Sequence, residues 1–210
     1  MNETILSYPY CTVQISEILN CSMDNGVIGL MDPAHGPFVH DNFWWRRRKL
    51  KEKSRIYEPI LNGFRVKTIN EHNTGPYRLL GPGPTITMID FMLPSYRIEI
   101  IQSGKWWVST VTMITEISEQ KCKLDFIIAW NCLLWLPFVR SIVRVCACRF
   151  INQDKRVIEQ QAIGLKYEPR MMFVTDADKP ALWYFKLKEA HRNGSGIHPL
   201  KGPTILRWRS

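Results

Sequence analysis

The stretch Asp32-Pro33-Ala34-His35-Gly36-Pro37-Phe38-Val39-His40 sets two histidines five residues apart, just after an aspartate. Two imidazoles and one carboxylate on one face of an octahedron hold oxygen-activating Fe(II) and leave the opposite face open. His35 and His40 supply the imidazoles. The chemistry then needs a carboxylate from elsewhere in the chain, and a pocket. In an unbroken helix, positions five apart diverge by roughly 140° around the axis. Asp32 reads as a helix N-cap with Pro33 at the first helical position, and Pro37 ends that short helix by forcing Gly36 out of helical conformation. A break at Gly36-Pro37 lets His35 and His40 converge.

The elements that must position these residues follow from pattern. Residues 1–27 are mixed. Phe43 to Arg55 is aromatic and then basic, a loop or exposed helix, and Gly63 to Ile69 reads as a strand. Gly75-Pro76 and Gly81-Pro82-Gly83-Pro84 are turns. Thr85–Leu93, Tyr96–Gln102, Trp106–Ile117 and Lys121–Trp130 are rich in β-branched and aromatic residues and are separated by short polar connections, the pattern of an antiparallel meander. Arg140 to Leu165 has apolar residues at helical spacing. Lys166–Thr175 reads as an edge strand, and Asp178 caps a last helix with Pro180 in its first turn. Residues 192–210 read as a basic tail behind a single domain of residues 1–191. A meander followed by a long helix predicts an α+β fold in which a curved sheet grips that helix, with an apolar pocket between them.

The long helix carries Gln153-Asp154-Lys155-Arg156-Val157-Ile158-Glu159. Asp154 lies one turn before Val157 and Ile158, near the apolar stripe. A carboxylate there is costly to bury unless it is paired or bound to metal, so Asp154 is the natural third ligand.

Composition narrows the alternatives. The chain has 210 residues, a formal net charge of +9, eight tryptophans and six cysteines. That length suits one domain with a real core. The charge favours acidic partners, whether protein, nucleic acid or anionic lipid. No Cys-x-His with Cys-x-x-His set is present, so a Rieske cluster cannot be built from these residues. No secretory signal is evident, and the simplest reading is free thiols in a reducing cytoplasm. Phe126 to Val139, the longest uncharged run, is too short to span a bilayer and reads as a buried strand and turn, with membrane-surface contact left open. There is no nucleophilic triad and no phosphate loop.

With Asp32-x-x-His35-x-x-x-x-His40 followed far downstream by Gln153-Asp154-Lys155 ahead of Val157-Ile158-Glu159, the chain resembles the catalytic domain of Rieske-type non-haem iron oxygenases. It is most similar to the monooxygenase branch that includes vanillate O-demethylase and pheophorbide a oxygenase. The likeness runs from about Tyr10 to Glu189 and includes Asp176-Ala177-Asp178. It implies a helix-grip fold like that of START lipid-binding domains, with mononuclear Fe(II) on His35, His40 and Asp154. It also implies that Asp32 links that iron to the [2Fe-2S] centre of a neighbouring subunit. The activity implied is O2-dependent oxygenation or O-demethylation of an apolar aromatic or polycyclic molecule. A Rieske ferredoxin or reductase would donate the electrons, and a homotrimer is the implied assembly. The family often has Asn three residues before the aspartate, where this chain has Gly29. Its members usually carry an N-terminal Rieske domain, which is missing here, so the [2Fe-2S] centre sits on a separate or missing domain.

Each residue also has a purely structural reading. His35 and His40 can be polar residues beside a turn, Asp32 an N-cap, and Asp154 a solvated helix residue beside Lys155 and Arg156. Trp106, Trp107, Trp130 and Trp135 are most simply core residues, and Cys146 and Cys148 buried thiols. Two other functions compete: a non-catalytic START-like module for a hydrophobic ligand, and a nucleic-acid-binding protein using Trp44–Lys53. No recognised nucleic-acid fold surrounds that stretch, so a lid, a solvated face or a docking surface for an acidic electron-transfer protein fits it better and nucleic acid is not expected as a partner.

Overall fold

The computed structural model describes residues 9–40, 50–71, 80–81, 83–168, 170–173 and 175–210. Its centre is the expected meander. Strands β4 (Thr85–Met92), β5 (Tyr96–Ser103), β6 (Trp106–Ser118) and β7 (Lys121–Trp130) follow one another through tight turns. On one side β3 (Gly63–Asn70) and β2 (Glu52–Ile60) extend the meander, and on the other β1 (Cys11–Leu19) pairs with β7. β8 (Thr204–Arg209) closes the far edge against β2. The result is one curved 8-stranded sheet in the order β1-β7-β6-β5-β4-β3-β2-β8, antiparallel throughout.

The sheet has one apolar face because its strands alternate in phase. Val13 sits opposite Ile128, Ile128 opposite Thr110, and Thr110 opposite Glu99. Val13, Ile15, Leu19, Leu124, Phe126, Ile114, Phe91, Phe64 and Val66 therefore share a face, and all are buried. Helix α3 (Val139–Tyr167) lies across the β1 end of that face. Its buried residues Ala147, Ile151, Asp154, Ile158 and Ala162 recur at three- and four-residue steps, the stripe an amphipathic helix turns inward. Two polar contacts set its rotation. Lys155 Nζ meets Glu17 Oε2 at 3.1 Å, and Glu159 Oε1 accepts from both the backbone N–H and the side-chain amide of Asn20 at 2.9 Å. Helices α1 (Met23–Gly29), α2 (Gly36–Val39) and α4 (Lys179–Arg192) complete the helical side. Asp24 ties α1 to α4, accepting from Tyr184 Oη at 2.8 Å and pairing with Lys188.

Several expectations are corrected. Residues 192–210 are not a free tail. Thr204–Arg209 is a sheet strand, and Leu206 within it is fully buried. Arg207 and Arg209 fall on alternate positions and hide a strand whose inward side chains are Thr204, Leu206 and Trp208. Lys166–Thr175 is not an edge strand. Helix α3 runs on to Tyr167, and no strand occurs among the described residues between 168 and 175. Trp107 and Trp130 are core, but Trp106 and Trp135 are exposed, as is Cys146, and Cys148 is half-buried. Trp44–Lys49 and Gly75-Pro76 lie outside the described residues. The end of that basic stretch is neither loop nor helix, because Glu52–Ile60 is strand β2. All six cysteines are free thiols, and among the described residues no helix is long and apolar enough to cross a membrane.

Since β8 contributes a fully buried side chain, Leu206→Ala should lower unfolding free energy by about 2–4 kcal/mol, the cost of a core leucine truncation. Urea denaturation followed by circular dichroism measures it. A change within experimental error would mean that β8 is not part of the folded core.

Candidate functional site

The two histidines flank one short turn. α2 spans only Gly36–Val39, with His35 as its N-cap and His40 as its C-cap. Pro37 stands in the first turn of this helix and does not end one, a position where its missing N–H costs nothing and its fixed φ suits the helix. The expected helix at Pro33 is replaced by an aspartate turn in which Asp32 Oδ1 accepts from the Ala34 N–H at 2.7 Å. Convergence of the histidines still follows, because each lies at an end of the turn and not in a continuous helix. Their ring centroids are 5.4 Å apart at 72°.

Asp154 meets them from α3. Its Oδ1 lies 3.1 Å from His40 Nε2 and 3.9 Å from His35 Nε2. One ligand atom from each of the three residues lies within 4.8 Å of the others, close enough to share a single ion. His40 is 1% exposed and Asp154 5%, while His35 is 25% exposed. The solvated-helix reading of Asp154 is thus excluded. Lys155, its neighbour in sequence, turns to Glu17 instead.

The other nitrogen of each ring is committed elsewhere. His40 Nδ1 lies 3.0 Å from Gln153 Oε1, and His35 Nδ1 meets the backbone carbonyl of Asp32. Each is an oxygen acceptor that suits a proton on Nδ1, and it is the Nε2 of each ring that points to Asp154. This is the arrangement that fixes tautomer and ring orientation in metal-ligating histidines. Phe150 stacks on His40 at 3.7 Å between centroids and 17° between planes. Phe150, Gln153 and Asp154 stand at i, i+3 and i+4 on one side of α3, so about one helical turn supplies the stacking ring, the orienting amide and the carboxylate. The sequence names Gln153 only within the motif Gln153-Asp154-Lys155 and gives neither it nor Phe150 a role at the site. The only signal for Gln153 is its place beside Asp154.

A cavity of about 820 Å³ reaches the cluster, lined in part by Asp32, His35, Phe38, Asp154, Met171 and Asp178. It lies among the helices and residues 170–173, and its lining contains no strand residue. The Asp32 carboxyl stands on its wall, where burial pushes its pKa above the usual carboxylate range against the opposing Ala34 N–H. Asp176 and Asp178 take structural roles. Asp176 accepts from the Arg207 N–H at 3.0 Å and pairs with Lys179, and Asp178 forms a capping box with Thr175.

Gly29 explains itself by contact. A Cβ there would lie 2.6 Å from Ile158 Cγ1, so the absence of a side chain lets α1 approach α3 one turn beyond Asp154. Gly29→Ala should destabilise the fold by about 1–3 kcal/mol through overpacking, measured by thermal or urea unfolding. A neutral result would show that α1 and α3 part without cost.

No protein-family model matches the sequence, and no curated relative does. Solved structures do match in fold. Dicamba monooxygenase bound to dicamba superposes with a TM-score of 0.67 at 14% identity, over 90% of this chain and 60% of that one. NdmA of Pseudomonas putida CBB5, solved with caffeine, gives 0.69 at 15% identity, over 97% of this chain and 59% of that one. The chain therefore spans about three-fifths of the length of each of these structures, both Rieske oxygenases, and has the fold of their catalytic domain.

Proposed function

We propose that the chain is the catalytic module of a terminal oxygenase, with His35, His40 and Asp154 holding one Fe(II). The observation that carries this reading is the convergence of two correctly oriented imidazoles and a buried carboxylate on one point. The donor set is that of mononuclear non-haem iron, and a buried carboxylate gains most from such a charge. When bound, the iron supplies the capacity to activate O2. The residues of this chain do the remaining work. Gln153 and the Asp32 carbonyl hold the protons on Nδ1 of both rings. Phe150 fixes the His40 plane and shields it from water. Phe38, Met171 and Phe173, on the wall of the cavity that reaches the cluster, provide an apolar surface for a ring system.

The reaction class is monooxygenation of an apolar aromatic or polycyclic substrate. One oxygen atom enters the substrate, and the other leaves as water with two electrons and two protons. Insertion at a methoxy carbon gives demethylation, the chemistry of the vanillate O-demethylase and pheophorbide a oxygenase branch. The electrons come from a Rieske [2Fe-2S] centre on another domain or polypeptide, supplied by a ferredoxin or reductase. Asp32 is the point of entry in this reading. It lines the same cavity as His35, the more exposed of the two histidines. A trimer, in which a neighbour's cluster faces Asp32, is the assembly that suits it. A START-like binding module shares the fold but gives no account of the two matched Nδ1 acceptors.

Anaerobic reconstitution should load about one iron per chain, the stoichiometry of a mononuclear site. His35→Ala with His40→Ala, or Asp154→Ala alone, should abolish loading, as read by inductively coupled plasma mass spectrometry on folded protein. Equal uptake by these variants overturns the assignment.

Gln153→Leu should keep the stoichiometry at saturating metal but weaken affinity about 10- to 100-fold, the usual effect of losing such an orienting partner. Competition with a chelating indicator measures it. Unchanged affinity would mean that Gln153 does not orient His40.

A further inference from the structure

A surface helix is expected to turn its polar side to water. The first turns of α3 turn apolar side chains out as well. At 100° per residue, Phe138, Ile142 and Val145 fall within about 60° of one another, opposite the buried stripe of Ala147, Ile151 and Asp154. Phe138 is 80% exposed, Ile142 52% and Val145 51%, and Trp135 in the preceding loop is 79% exposed. The loop holds these side chains out by a regular hydrogen-bonded path. Leu136 N–H donates to Leu133 O, Val139 N–H to Leu136 O, and Ile142 N–H to Phe138 O. Leu133 and Phe138 both take left-handed backbone conformations, with φ of 55° and 62°, which non-glycine residues rarely adopt. The patch is apolar, contiguous in sequence and fixed in shape.

Its charge is one-sided. From Phe126 to Gln153 the sequence contains neither Asp nor Glu, while exposed Arg149 shares the helical face of the patch and exposed Arg144 stands on its flank. A second copy of this chain would bring arginines against arginines across a two-fold axis, which is unfavourable. A surface that is greasy at its centre, aromatic at its tip and cationic at its rim matches the boundary of a bilayer rich in anionic lipid.

We propose that this face docks on an anionic membrane surface. Trp135, Phe138, Ile142 and Val145 enter the boundary between headgroups and acyl chains, and Arg149, with Arg144 reaching round from the flank, meets lipid phosphates. The helix lies on the bilayer and does not cross it. The inference uses no residue of the metal cluster and stands or falls separately from the oxygenase reading.

The test is co-sedimentation of the full chain with vesicles of phosphatidylcholine, with or without phosphatidylserine. The chain should pellet with the phosphatidylserine vesicles, more weakly with phosphatidylcholine alone, and be released by salt. Trp135→Ser with Phe138→Ser should reduce apparent lipid affinity at least about tenfold. Arg144→Gln with Arg149→Gln should do the same and remove the preference for phosphatidylserine. Ile163→Ser, on an exposed residue far along α3, should change nothing, and circular dichroism verifies that each variant is folded. Wild-type protein staying in the supernatant with both vesicles would overturn the proposal, as would pelleting that ignores Trp135 and Phe138. So would a lipid-independent dimer abolished by Trp135→Ser with Phe138→Ser, which assigns the face to a second copy.

Discussion

The rest of the structure depends on the burial of one carboxylate. Asp154 lies on the inward stripe of α3, where an ionised group is tolerated only with partners close at hand. Those partners are His40 and His35, brought from a turn more than a hundred residues earlier in the chain. Everything nearby serves that meeting. The turn at Pro37 sets the separation of the rings, Gln153 and the Asp32 carbonyl set their orientation, and Glu17 and Asn20 set the rotation of the helix. Gly29 removes the one side chain that would hold α1 and α3 apart.

Much of this is legible in the sequence. The four meander strands are recognisable because β-branched runs alternate with short polar turns, and the long helix because apolar residues recur at helical spacing from Val143 to Ile158. His35, His40 and Asp154 could be chosen because their residue types carry the chemistry. What escapes is whatever depends on contacts distant in sequence. The strand at Thr204–Arg209 pairs with β2 and is disguised by its arginines. Pro37 looks like a helix breaker and acts as a helix starter, since the same ring does both and only the neighbouring fold decides. Gln153 is one polar residue among several on an exposed-looking segment until His40 arrives.

The tryptophans show the same limit. Trp107 and Trp130 are core residues of adjoining strands, whereas Trp106 and Trp135, with the same side chain and similar neighbours, face outward. A strand places successive residues on opposite faces, so Trp106 and Trp107 must part company once one of them is buried. For Trp135 no such rule exists, because it stands in a loop.

The pairing of β1 with β7 joins residues about a hundred positions apart, and that of β2 with β8 spans a still longer stretch. The hairpins from β4 to β7 close only short loops. Loop closure costs entropy that grows with the length enclosed, and non-local strand pairings are correspondingly slow. The local hairpins can therefore form early, while the histidine turn, threaded between β1 and β2, reaches Asp154 only after a distant closure. Metal capture by this chain would thus report completion of its folding.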